Sequence, residues 1–303
     1  MDFVIPSPLQ EVDYLTTCQL QVKRDDLIHR DLSGNKYRKL IGHVDYIIKN
    51  HVKGIVTFGG AFSNHLYSCA AFAKKYNLLA IGIVRGEDDV SNPTLQYCRS
   101  MGMELFFVTR QEYSLKQESK VIRDILVPYD DYYLIPEGGD HPLAMSGLSA
   151  MIDEVIDPPD YIAVSAGTGS TAIGILKAMI AKGWKTKLMV LPALKHSGIK
   201  DRIIADTGVP ASQFVYADQY TFGGYAKSKN TLIAFINDFY SKTHIPLDPV
   251  YNGKLVYGLT DLDQKGFFKS NERIIWIHTG GLQGIHGYNY LTKKGDQAMI
   301  HPV

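Results

Sequence analysis

Two rhythms of apolar residues alternate along the chain. Short apolar runs bounded by glycine, proline or polar residues predict strands at Gly54–Phe58 (GIVTF), Leu78–Val84 (LLAIGIV), Glu104–Val108 (ELFFV) and Tyr132–Ile135. The second half adds Tyr161–Ser165 (YIAVS), Lys187–Leu191 (KLMVL) and Ile274–His278 (IIWIH). Between these runs the spacing turns helical. Tyr37, Leu40, Ile41, Val44, Ile47 and Ile48 fall on one helical face. His65 to Tyr76 reads as a helix with Leu66, Cys69, Ala70 and Ala73 inward, and Pro93 opens another at a position proline tolerates. Further helices follow Gly169 through Ala181 and lie near Leu232–Tyr240 and Lys254–Asp263.

Strand–helix alternation of this kind predicts an α/β protein with mostly parallel sheets covered on both faces. In such folds ligands bind at the carboxyl ends of strands. Residues 44–147 carry a strand–helix series sufficient for a smaller α/β domain. Residues 1–43 together with 148–303 then form a larger one, with Pro158-Pro159 as a rigid connection near the border. The 303 residues suffice for two such domains.

Composition narrows the partners. Hydrophobic residues make up 45% and charged residues 21%, which fits a soluble globular protein. A formal charge of +1 gives no electrostatic reason to expect nucleic acid or a membrane. Lys23-Arg24 is followed at once by Asp25-Asp26, which neutralises it. Cys18, Cys69 and Cys98 are scattered without C-x-x-C spacing, so neither a zinc site nor a disulfide frame is expected, and reduced thiols in the cytoplasm fit best. The start of the chain lacks a signal-peptide pattern, and no apolar stretch is long enough to span a bilayer. The histidines show no metal-binding spacing, so no catalytic metal is expected.

Candidate chemistry gathers at turns. Lys36 lies in Ser33-Gly34-Asn35-Lys36, where an amphipathic helix should begin. Ser63-Asn64-His65 ends a strand through Gly59-Gly60 and begins a helix, which suits a carboxylate or phosphate cradle, although plain capping by Ser63 or Asn64 is the preferred reading of the cluster taken alone. Gly167-Thr168-Gly169-Ser170-Thr171 follows a strand and opens a helix, so its amides and hydroxyls would face an anion. The spacing also matches a dinucleotide fingerprint. That reading needs an acid after the next strand, but KLMVL ends in Leu191-Pro192-Ala193-Leu194, and three hydroxyls suit a terminal phosphate better. A tight packing turn without ligand is the alternative. For His278, before Thr279-Gly280-Gly281, a buried histidine satisfied by backbone is the preferred reading. A lysine, a small polar cluster and a hydroxyl-rich cup are the parts needed to hold pyridoxal phosphate as an imine.

Seven strings come in an order that resembles a known family: KRDDL (Lys23 to Leu27), GNKYRKL (Gly34 to Leu40), GGAFSNH (Gly59 to His65), PEGG (Pro136 to Gly139), AGTGST (Ala166 to Thr171), DPVYNGK (Asp248 to Lys254) and HTGG (His278 to Gly281). From about Leu20 to Tyr290 the chain resembles the 1-aminocyclopropane-1-carboxylate deaminase/D-cysteine desulfhydrase family. The resemblance implies the tryptophan-synthase-β-like fold of pyridoxal-phosphate enzymes (fold type II), a homodimer and a small amino-acid substrate. It implies that Lys36 holds the cofactor as an imine and that Asn64 meets its phenolic oxygen. Gly167, Thr168, Gly169, Ser170 and Thr171 would cup its phosphate, and Thr279 would face its pyridine nitrogen. Ser63, Asn64 and His65 would hold the substrate carboxylate, while Ser63, Tyr225 and Tyr251 would serve catalysis. The deaminase branch carries SNQ, a glutamate after the DPVY tyrosine, and leucine in place of the HTGG threonine. This chain has His65, Asn252 and Thr279. The resemblance therefore leans towards D-cysteine desulfhydrase-like elimination giving pyruvate, ammonia and sulfide. 1-Aminocyclopropane-1-carboxylate deamination is the alternative. Asn252 also differs from the threonine usual in desulfhydrases, and Phe62 from a glutamine common before the SN pair. A nucleotide-dependent oxidoreductase and a catalytically silent ligand-binding homologue complete the readings.

Overall fold

A computed structural model describes residues 2–195, 198–210, 213–293 and 298–301. The strands, in chain order, are β1 (Leu9–Val12), β2 (Gln19–Lys23), β3 (Gly54–Gly60), β4 (Leu79–Arg85), β5 (Met103–Val108), β6 (Tyr133–Ile135), β7 (Tyr161–Ala166), β8 (Lys187–Pro192), β9 (Phe214–Tyr216) and β10 (Arg273–Ile277). The helices are α1 (Gly34–Ile41), α2 (Val44–Lys49), α3 (Asn64–Lys75), α4 (Pro93–Ser100), α5 (Arg110–Leu115), α6 (Lys120–Leu126), α7 (Ala144–Asp153), α8 (Ser170–Ala181), α9 (Ile199–Thr207), α10 (Asn230–Thr243), α11 (Asn252–Gln264) and α12 (Gln283–Thr292). Among the described residues, no helix is long and apolar enough to cross a membrane.

The chain divides into two compact units, Met1–Asn35 with Leu148–Val303, and Lys36–Gly147. The first holds a six-stranded sheet in the order β1-β2-β10-β7-β8-β9, parallel except for the antiparallel β1–β2 pair at one edge. Every residue of β7 is buried, as expected for a strand covered on both faces. A core including Trp276, Phe239, Leu255 and Ile236 packs in this unit. The second unit holds a four-stranded, all-parallel sheet, β5-β4-β3-β6. Its core includes Val56, Phe58, Ile81 and Ile83. Its helices α3 and α4 start on side-chain caps: Ser63 Oγ accepts from the Leu66 amide at 3.2 Å, and Asn92 Oδ1 accepts from the amides of Thr94 and Leu95.

The apolar runs predicted as strands are strands, with ends shifted by one or two residues. One helix departs from expectation. The face from Tyr37 to Ile48 does not continue, because the chain turns at Gly42-His43 between α1 and α2. A Cβ on Gly42 would overlap the carbonyl oxygen of Leu143, so the absent side chain permits a close backbone approach there. The helical phase is lost across the turn, and Ile48 is left 63% exposed.

Candidate active site

In the six-stranded unit, candidate residues stand at the carboxyl ends of β7 and β10. β7 runs into Gly167-Thr168-Gly169, and α8 begins at Ser170 with Gly169 as its N-cap. The first-turn amides of a helix lack intrahelical acceptors, so this turn presents donors and the positive end of a helix dipole. Thr168 Oγ1 and Ser170 Oγ are 3.0 Å apart. Arg202 on α9 donates to the Thr168 carbonyl at 2.8 Å, which engages an oxygen that would repel an anion and adds positive charge. Ser165 Oγ, just before the turn, is buried and has no hydrogen-bond partner among the described residues.

Asn35 ties this turn to the end of β10. Its Nδ2 donates to Thr171 Oγ1 at 3.0 Å, and its amide donates to the Thr279 carbonyl at 3.2 Å. Gly34 makes that approach possible: its φ is +62°, and a Cβ there would overlap the Thr279 carbonyl. Thr279 is held from its other side by Asn252, which is fully buried at the start of α11. Asn252 Nδ2 donates to Asp248 Oδ1 (2.8 Å) and the Gly280 carbonyl (3.0 Å), with Thr279 Oγ1 at 3.4 Å. Its Oδ1 accepts from Trp276 Nε1 and the Thr279 amide, both at 3.3 Å. Asp248 caps α11 by accepting from the amides of Val250, Tyr251 and Asn252. Tyr251 lies against the glycine turn, since a Cβ on Gly167 would sit 3.2 Å from its hydroxyl. The Tyr225 and Tyr251 rings meet edge to face, with centroids 6.3 Å apart.

His278 takes the backbone-satisfied arrangement expected of it. It is fully buried, with Nε2 2.8 Å from the Pro246 carbonyl and Nδ1 accepting from the Gly280 amide at 3.2 Å. The basic pair at the start is only partly as expected. Arg24 does grip Asp26, with Nε and Nη2 contacts of 2.9 and 2.8 Å, but buried Lys23 pairs with Glu154 at 2.6 Å. Asp25 instead accepts from the Ser7 hydroxyl.

In the four-stranded unit, Lys36 is half-buried on α1, and its Nζ donates to the Gly138 carbonyl at 3.2 Å. Buried Lys39 donates to the same oxygen at 2.9 Å. Burial pulls the Lys36 amine down to about 8, against the smaller opposing influence of Cys69, Asp140 and Glu137. Gly138 follows β6 within the PEGG string. Ser63 and Asn64 follow the carboxyl end of β3, at the start of α3. The His65 ring turns back towards the sheet: Nε2 donates to Thr57 Oγ1 at 2.9 Å, and Thr57 in turn donates to the Ile135 carbonyl. Burial, reinforced by Lys36, Lys39 and His43, holds His65 well below the usual imidazole range, so it is neutral. Its ring is engaged, and its backbone amide in the first turn of α3 is what it can offer a ligand.

Asn35, Arg202 and the Gly138 carbonyl were not among the expected site residues. Asn35 and Gly138 lie inside motifs that were read, whereas Arg202 sits in a helix with no local signal. Among the described residues, no cluster of three or more His, Cys, Asp or Glu could hold a metal ion.

Comparison with known proteins gives a consistent picture. The profile of the family described as "Pyridoxal-phosphate dependent enzyme" matches residues 1–280. A Pyrococcus horikoshii protein provisionally named 1-aminocyclopropane-1-carboxylate deaminase is 28% identical over 281 residues, covering 88% of this chain and 86% of its own. The Arabidopsis thaliana protein named bifunctional D-cysteine desulfhydrase/1-aminocyclopropane-1-carboxylate deaminase, mitochondrial, is 27% identical over 296 residues, covering 88% and 73%. A crystal structure described as an ACC deaminase homologue superposes with a TM-score of 0.81 at 26% identity, covering 96% and 94%.

Proposed function

The chain belongs to the family of pyridoxal-phosphate dependent enzymes, and on that premise we propose that it is a lyase of the 1-aminocyclopropane-1-carboxylate deaminase/D-cysteine desulfhydrase group that eliminates sulfide from D-cysteine. The products are pyruvate, ammonia and sulfide. The observation that carries the reading is Lys36, whose half-buried amine rests on the Gly138 carbonyl with its pKa brought down to about 8. An amine so tuned can attack an aldehyde and act as a base near neutral pH.

The residues present fit the cofactor. A turn of amides and hydroxyls at a helix start, with an orphaned buried serine hydroxyl beside it, suits a phosphate monoester. Gly167 to Thr171 would hold the phosphate, Lys36 the aldehyde carbon, and Asn64 and Thr279 the ring. Bound pyridoxal phosphate supplies the electron sink that makes the Cα–H bond of an amino acid acidic. Lys36 then moves the proton at Cα. When free, its amine has the Gly138 carbonyl as a resting partner. Ser63 and the first-turn amides of Asn64 and His65 hold the substrate carboxylate. Tyr225 or Tyr251 delivers a proton to the departing sulfur, a leaving group that needs little assistance.

Asn252 supports elimination over ring opening. Opening a cyclopropane calls for a stronger electron sink, which a carboxylate near the ring nitrogen would promote. Asn252 brings no charge, and both ends of its amide are engaged. The activities printed for the relatives favour a second reading, 1-aminocyclopropane-1-carboxylate deamination to 2-oxobutyrate and ammonia. Supplying each substrate to the purified protein separates them: pyruvate with sulfide is expected from D-cysteine, and 2-oxobutyrate as the dominant product would displace the first reading. Borohydride reduction followed by peptide mapping should place the cofactor on Lys36. Lys36→Ala should lose both visible absorbance and turnover.

A further inference from the structure

Lys254 on α11 is nearly fully buried, yet among the described residues no acidic side chain pairs with it. Its Nζ donates to two backbone carbonyls instead, Thr221 at 2.9 Å and Gly224 at 2.7 Å. Each of these oxygens already closes a turn: Thr221 accepts from the Gly224 amide at 2.9 Å, and Gly224 accepts from the Lys227 amide at 3.2 Å. Between them Phe222, Gly223 and Gly224 all have left-handed backbone, with φ of 52°, 97° and 118°. For Phe222 that conformation is unfavourable and must be held by its surroundings. Through Thr221, Phe222 and Gly223 the same segment lines a cavity of about 420 Å³, so it has space into which to relax.

Tyr225 is the next residue, and Tyr251 stands three residues before Lys254 at the head of α11. We propose that Lys254 is a positioning residue: its ammonium pins the 221–224 turns to α11 and so holds Tyr225 edge-on to Tyr251. The buried ammonium is costly in itself, and burial brings its pKa down to about 8, with Asp248 opposing. A charge placed at such cost between two carbonyls fixes geometry, because its donors have no other acceptors among the described residues.

The proposal rests on the reading of Tyr225 as a group at the reacting centre, and the test separates the two. Hydrogen exchange of the full chain is read at the Gly224 and Lys227 amides. Lys254→Met should speed both by about tenfold or more, while amides in β7 stay protected. Turnover should fall mainly in kcat, and Lys254→Arg, which keeps donors and charge, should recover part of it. In a Tyr225→Phe background the loss caused by Lys254→Met should vanish, since both act through one hydroxyl. If Lys254→Met does not fold, Lys254→Gln, which can reach at most one of the carbonyls, carries the same expectations. Unchanged exchange at both amides, or losses that multiply in the double variant, overturns the proposal. If Tyr225→Phe alone keeps full turnover, the role of Tyr225 fails, and exchange at the two amides alone decides for or against the anchor.

Discussion

A lysine amine with an ordinary pKa of 10.5 is almost wholly protonated at neutral pH and cannot attack an aldehyde. At about 8, the neutral fraction of Lys36 at pH 7 is roughly 300-fold larger. The cofactor-free chain should therefore take up pyridoxal phosphate, followed by imine absorbance, at a rate that climbs with pH through about 8 and then levels. The sign follows from which form reacts: only the neutral amine does, and burial moves its appearance to lower pH. A rate still climbing steeply at pH 10 would mean that burial does not tune this amine. Gly34→Ala tests the neighbouring backbone. Its φ of +62° and the Thr279 carbonyl leave no place for a Cβ, so the loss should be about 3 kcal/mol or more in denaturant unfolding. Lys36 and its two preceding residues were legible as a string. The burial of Lys23, Lys39 and Lys254 was not, because a lysine that feeds carbonyls or a distant glutamate looks in sequence like any solvated lysine.

At the scale of elements, α3 poses a question that two caps can answer. Ser63 caps α3 just as Asn92 caps α4 in the same unit. Ser63→Ala and Asn92→Ala should each cost about 1 kcal/mol in stability. Only Ser63→Ala should also raise KM for the amino acid, because only α3 begins with the proposed carboxylate cradle. Equal kinetic effects would reduce Ser63 to a cap. The elements that could be read were those with a strong local period: buried parallel strands such as β3 and β8, and helices that follow a glycine turn or a proline. Three strands escaped: only one of four residues in β1 is buried, β9 has three residues in all, and β2 mixes two glutamines and a lysine with two apolar residues although it lies inside the sheet. The break between α1 and α2 was illegible for a different reason. Its cause is the Leu143 carbonyl, about a hundred residues away in sequence.

For the molecule as a whole, strand alternation disclosed parallel sheets but not their order. Nothing local says that β10, near the end of the chain, lies between β2 and β7. Buried titratable groups act collectively too, and they set how the stability of the cofactor-free chain varies with pH. His43 is lowered to about 4, and His65 is also held well below 6.5 by burial. Below about pH 6.5 the unfolded chain binds more protons at these rings, for His43 down to about pH 4, so stability should rise with pH by up to about 1.4 kcal/mol per unit for each. Lys36 and Lys254, both lowered from 10.5 to about 8, repeat this at higher pH: above 8 the folded chain has shed protons that the unfolded chain still holds, and stability climbs again. Cys18, Cys69 and Cys98 act in the opposite sense. Burial pushes each from 9 to about 12, so above pH 9 the folded chain keeps protons that the unfolded chain loses. Above pH 9 these thiols oppose the lysines, so the climb ends there. Loading pyridoxal phosphate onto Lys36 removes one of the two lysines from this balance, and the three thiols then cancel what Lys254 adds, so the climb between pH 8 and 9 should all but vanish. Urea unfolding from pH 4 to 10, with and without the cofactor, would show both features. A curve that is flat or falling from pH 8 to 9 in the cofactor-free chain would contradict the burial of both amines.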